Sequence, residues 1–170
     1  MAKDYLNVIE RALMMGISDK INTDIDNDQN IYVYGHFPAT EEVQFPAVIV
    51  QLMATGFDEQ FFGQSATFGS GGTTGTGEVY GTAYAVHILI DKDTEIAIGS
   101  DKYKQRRLLN WMMLNIANYV VDINWDVYEE EELEILDRSL DSWNDIGYLE
   151  EFQWYGATAQ FTIHFKNHRT

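Results

Sequence analysis

From residue 80 to residue 90 the large apolar side chains Tyr84, Val86, Ile88 and Ile90 share one parity. A period of two puts them on one face of a β-strand. The opposite parity carries Gly81, Ala83 and Ala85, then His87 and Leu89, so the second face is built of small and polar residues. After a turn over residues 91–99 the rhythm changes. Leu108, Leu109, Met112, Ile116 and Val120 recur at intervals of three to four within residues 100–121, which draws one apolar stripe down a helix. Such a helix covers one sheet face and leaves the other for something else.

The remaining segments read in the same way. Leu6, Ile9, Leu13 and Ile17, with Val8 and Ala12 beside them, predict an amino-terminal helix over residues 4–21. A polar loop over 22–30 leads to a short strand at 31–34. Residues 47–53 are apolar and rich in β-branching, a buried strand whose entry Pro46 defines. A further short strand falls over 133–140, inside an acidic stretch. At the end, Ala157, Ala159, Phe161, Ile163 and Phe165 alternate with Thr158, Gln160, Thr162 and His164, a strand covered on one side only. The order is helix, strands, helix, strands, without repeated βα units. It predicts one α+β domain over residues 1–170, with a mainly antiparallel sheet, an N-terminal helix and one long helix packed on it.

Residues 55–78 stand apart. Phe57, Phe61, Phe62 and Phe68 are interspersed with Gly63, Gly69, Gly71, Gly72, Gly75 and Gly77. Ordering each glycine costs entropy, and isolated phenylalanines in such a tract need a pocket in the same chain or in a neighbour. The tract predicts a long β-hairpin excursion, with those four phenylalanines as candidate subunit contacts.

A formal charge of −16 argues against a nucleic-acid backbone as a direct partner. The basic residues cluster at Lys102, Lys104, Arg106 and Arg107, near the start of the second helix, where cations oppose the helix dipole. Solvent or an acidic surface on a neighbouring subunit can compensate them. Acid concentrates between Asp122 and Glu151, with Arg138 as the one base, and includes the run Glu129, Glu130, Glu131 and Glu132. Four adjacent glutamates stay solvated or meet a basic partner. The absence of cysteine excludes disulfides and thiol chemistry. No apolar run is long enough to cross a membrane as a helix, and Met-Ala-Lys-Asp-Tyr does not open a secretion signal. A cytosolic site of synthesis is expected.

No catalytic constellation stands out. Asp24, Asp26 and Asp28 alternate as in a calcium loop, and Ile31 matches its hydrophobic position, but Gln29 replaces the turn glycine and Gly35 the closing glutamate. His87 and His164 lie on strands and could meet across the sheet around a metal; a polar sheet face is the simpler reading. The glycine tract lacks a phosphate-loop lysine and opens no helix. Ser65 and Ser70 lack the neighbours of a nucleophile elbow. No catalytic, cofactor or metal residue is therefore expected.

The order of elements resembles the tail terminator proteins of long-tailed bacteriophages, a group akin to tail-completion and neck proteins. The resemblance runs through the amino-terminal helix, Pro-Ala-Val-Ile-Val at residues 46–50, a long variable hairpin and Val-His-Ile-Leu-Ile-Asp at 86–91. It continues with Gln-Arg-Arg-Leu-Leu at 105–109 and closes with Gln-Phe-Thr-Ile-His-Phe at 160–165. It implies a virion structural subunit of the tail and neck, assembled in the host cytoplasm and without catalysis. Six copies would form a ring that caps the tail tube and meets neck or connector proteins, and the sheath in contractile tails. DNA would pass through without specific binding, and no membrane is involved. The chain departs from that pattern in its long glycine-rich hairpin and acidic stretch. The alternatives are another head–tail connector ring, such as a head-completion or stopper protein, a small metal-dependent hydrolase or binding domain using His87 and His164, and an unrelated host adaptor.

Overall fold

The computed structural model describes residues 5–25, 29–36, 38–57, 65–68, 73–123 and 133–168. Helix α1 spans Tyr5–Thr23 and α2 spans Gln105–Val121. The strands are β1 Tyr32–Tyr34, β2 Ala47–Phe57, β3 Ser65–Phe68, β4 Thr73–Asp91, β5 Glu95–Ile98, β6 Asp101–Lys104, β7 Leu133–Leu149 and β8 Trp154–His168. The main sheet runs β1-β2-β4-β8-β7, with β3 paired to the first part of β4. Only β1 is parallel to its neighbour among these described pairings. The fold is α+β with a mainly antiparallel sheet, as the periodicities predict.

Register explains which face is sealed. Val50, Val86, Ala159 and Trp143 form one cross-strand row; Leu52, Tyr84, Phe161 and Leu140 form the next. These residues face the helices, and Val50, Val86, Ala159, Tyr84 and Phe161 are buried. Against them pack Ile9, Leu13, Ile17 and Ile21 of α1 and Leu108, Leu109, Met112, Ile116 and Val120 of α2, all without solvent exposure. Both predicted stripes are therefore the core. The Tyr84 hydroxyl donates to the Leu6 carbonyl at 3.1 Å, satisfying a polar group that burial would otherwise penalise.

Three segments differ from the sequence reading. Residues 95–104, where the sequence predicts a turn and the start of a helix, form the β5–β6 hairpin. Ile98 pairs with Asp101, so Gly99 and Ser100 make a two-residue turn, and the φ of 62° at Gly99 suits the first position of a type II′ turn. Helix α2 consequently begins at Gln105. Strand β7 extends to Leu149, well beyond residue 140, with register shifts at Leu136, Asp141 and Ile146. Within the glycine tract, β2 continues to Phe57 and β3 pairs with β4 from Ser65↔Thr76 to Phe68↔Thr73.

Side chains tie the layers together. Asn22, near the end of α1, donates through its amide nitrogen to the carbonyls of Ser18 and Ile31, both at 3.0 Å, and its oxygen accepts from the Ile31 N–H at 2.8 Å. At the far end of α2, Arg138 donates to the Val121 carbonyl at 2.6 Å and Lys20 to the Asp122 carbonyl at 3.2 Å. These cations supply donors to terminal carbonyls that no helix N–H reaches.

Candidate functional site

The sheet face turned away from the helices carries an organised polar row, beside Ala47, Ile49 and Ala85, which share that face and are buried. His87 on β4 sits between two strands, its Nε2 2.9 Å from Gln51 Oε1 and its Nδ1 2.9 Å from Thr158 Oγ1. Partial burial pushes the imidazole below its ordinary value, which favours the neutral ring. A neutral ring fits both contacts: Nε2–H donates to the amide oxygen, and Nδ1 accepts from the threonine hydroxyl. Further along β8, Thr162 donates to Asp141, and Ser139 donates to the same carboxylate at 3.1 Å. His164 meets Asp137 through Nδ1 at 2.6 Å. Its ring lies over Gly81, where an added Cβ would come within 3.2 Å of Nε2. The small parity of β4 thus makes room for side chains from β8.

The two strand histidines do not share a site. His87 lies opposite Thr158, and His164 is six residues further along the same strand, roughly 20 Å at the rise of a β-strand. The metal-site alternative built on that pair loses its geometry. The calcium reading also weakens, because the Tyr119 hydroxyl donates to Asp24 and burial with that contact raises the tyrosine above its ordinary value. Ile31 is a core residue, and Asp26 and Asp28 lie outside the described residues.

One end of the open face is apolar. Trp154 stacks on Phe152 with centroids 5.2 Å apart and meets Phe45 at 5.1 Å. The Phe45–Pro46 peptide there is cis. Ile146, one of the β7 bulges, leans over Gly156 and remains 49% exposed, and Phe152 is 47% exposed.

The basic cluster spans two elements, with Lys102 and Lys104 on β6 and only Arg106 and Arg107 in the first turn of α2, and it has partners within the chain. Arg106 pairs with Asp145 of β7, Lys102 with Glu95 at 3.0 Å, and Arg107 with Asp101 at 3.7 Å. Arg107 also covers the Tyr103 ring at 4.2 Å. Lys104 is exposed beside them. Asp145 and Glu95 had no signal in the sequence, because only the fold brings them to α2 and β6. Of the other candidates, Phe57 closes β2 and Phe68 closes β3 as backbone positions. Phe61, Phe62 and Glu129, Glu130, Glu131 and Glu132 lie outside the described residues.

No protein-family model matches the chain, and no curated protein sequence matches it.

Proposed function

We propose that this chain is a phage virion structural protein, a tail terminator whose copies form a six-membered ring capping the tail tube and joining it to the neck. The observation that carries the reading is the asymmetry of the sheet. One face is sealed by α1 and α2; the other presents an ordered polar ladder ending in Ile146, Phe152 and Trp154. A closed ring of identical subunits buries two unlike patches on each copy. The open face supplies one patch and the cationic hairpin beside α2 another. Bulges at Leu136, Asp141 and Ile146 distort β7, one of the two edge strands of the main sheet among the described residues. They discourage open-ended strand addition and leave side chains to make the contacts. A net charge of −16 suits a ring through which DNA slides without sticking.

Native mass spectrometry and negative-stain electron microscopy of the chain, alone and with tail-tube protein, test the proposal. The expected result is a hexameric ring seated on the tube end. Arg106→Glu with Arg107→Glu should weaken the ring while leaving the fold intact, since the ion pairs lost are solvent-exposed and each contributes at most about 1 kcal/mol. A chain that stays monomeric in the presence of tube would overturn the reading.

A further inference from the structure

The apolar end of the open face is built differently from the polar ladder beside it. Trp154 touches two rings, Phe45 and Phe152. Ile146 and Leu89 meet over Gly156, each with a carbon 3.6 Å from where its Cβ would stand. Two backbone bonds hold the turn that carries Phe152: its N–H donates to the Leu149 carbonyl at 3.2 Å, and the Gln153 N–H to the Glu150 carbonyl at 3.3 Å. The same turn puts Gln153 at a φ of 58°, a left-handed conformation that glycine or asparagine adopts more readily. That local cost accompanies a Phe152 stacked on Trp154 yet still half exposed. An exposed apolar patch with a polar rim marks an interaction site, and aromatic side chains are the usual anchors of one.

Acid frames the patch from two directions. Glu41 and Glu42, in a 3-10 turn, come shortly before Phe45, and Glu150 and Glu151 come directly before Phe152. All four are exposed, and none has an ion-pair partner among the described residues. On the adjoining turn Lys92 and Asp93 offset each other, and the Asp91 carboxylate accepts from the Thr94 N–H at 2.8 Å. An apolar centre between two pairs of uncompensated carboxylates is complementary to a segment with an apolar centre and cations on both sides. The same charge repels nucleic-acid phosphate and anionic lipid. A second copy does not supply the segment, because its cations are engaged. In the run Lys102-Tyr103-Lys104, Lys102 pairs with Glu95 and Tyr103 lies beneath Arg107. Arg106 and Arg107 pair with Asp145 and Asp101, and Arg138 and Lys20 hold the carboxyl end of α2.

We propose that the acid-framed aromatic end of the open face, around Phe45, Phe152 and Trp154, docks a basic segment of a different protein. Apolar side chains of that segment rest on the rings, and its lysines or arginines meet the paired glutamates. Cations beside the rings gain further from their faces. The polar ladder is left to a neighbouring copy, while this end, at the margin of the face, meets another chain. The contact needs no ring, so the two proposals fail separately: a monomer that binds a basic segment keeps this one, and a ring that ignores such a segment keeps the other.

Fluorescence anisotropy of a labelled peptide, Lys-Lys-Leu-Phe-Lys-Lys, titrated with the full chain tests the proposal in any assembly state. The peptide Lys-Lys-Gly-Gly-Lys-Lys carries the same charge without the apolar centre and should bind at least about tenfold more weakly. Glu150→Gln with Glu151→Gln should weaken binding of the first peptide about three- to tenfold, the size expected from two exposed ion pairs. Phe152→Ser should weaken it as much or more, with an unchanged circular dichroism spectrum. Asp19→Asn with Asp122→Asn removes the same charge at exposed positions on other elements and should leave binding within about twofold, since distant charges are screened. No binding, equal binding of the two peptides, or equal loss from the two double variants would overturn the proposal, the last by showing attraction to net charge alone. Oligomers of the wild type that Phe152→Ser abolishes would assign this end to a second copy and overturn it as well.

Discussion

Replacing Asn22 with alanine removes the hydrogen bonds that hold the end of α1 to the entry of β1. In the intact protein the Asn22 side chain satisfies both the N–H and the carbonyl of Ile31, a residue with only 2% exposure. The Ser18 carbonyl keeps its helical partner, so the loss concentrates on Ile31. Leaving a buried backbone group without a partner costs about 1–3 kcal/mol. Both bonds are part-buried, which places the two groups toward the lower half of that range and gives about 2–3 kcal/mol in total. For a chain of this size that corresponds to a fall of about 5–10 °C in Tm. Asn22→Asp keeps an acceptor for the Ile31 N–H but turns a carboxylate on the Ile31 carbonyl, and should lose a similar amount. Urea unfolding followed by tryptophan fluorescence measures both variants. If Asn22→Ala stays within about 0.5 kcal/mol of the wild type, water is replacing the side chain and the clamp contributes little.

Gly16→Ala should destabilise despite the better helix propensity of alanine. The added Cβ would come 2.8 Å from Cγ1 of the buried Ile123, and overpacking of about 1–3 kcal/mol exceeds the roughly 1 kcal/mol gained in the helix; thermal unfolding decides the sign. His87 makes the fold acid-sensitive: the unfolded histidine takes up a proton near pH 6.5, whereas burial lowers the folded value. The unfolded state therefore binds more protons as pH falls through that region, and stability drops until the folded ring itself protonates. Urea midpoints at pH 7.5 and 5.5 should fall further for the wild type than for His87→Gln; parallel losses would sink this account.

The parts of the fold that were legible in the sequence are those in which one period persists. The β4 alternation around Tyr84, Val86, Ile88 and Ile90 and the α2 stripe from Leu108 to Val120 each hold their phase against a single sheet or helix layer. Strand β7 was legible only at its start, for a physical reason. Its bulges at Leu136, Asp141 and Ile146 insert an extra residue each time. The positions facing the helices are therefore Ile135, Arg138, Leu140, Trp143, Asp145 and Tyr148, a spacing of three and two in turn that matches neither strand nor helix. The β5–β6 hairpin was hidden differently. Its strands have four residues each, too few to establish a period beside the strong helical signal that follows. At the candidate site, the polarity of His87, Thr158, Thr162 and His164 was visible. Their partners Gln51, Asp141 and Asp137 were not, because strand order and bulge position decide which side chains meet.

Charge at the start of α2 means something different once the fold is known. Arg106 and Arg107 each oppose their own helix dipole, a penalty of about 0.3–1 kcal/mol apiece at an exposed helix end. Asp145, Asp101 and the Tyr103 ring lie close enough to offset much of that. The cationic cluster is thus tolerable without any neighbour, and by its presence alone it demands none. The uncharged outer face of the same helix is harder to account for in a solitary chain. Solvent-exposed Leu114 gains nothing from water, and a charged residue there would keep helix propensity while improving solubility.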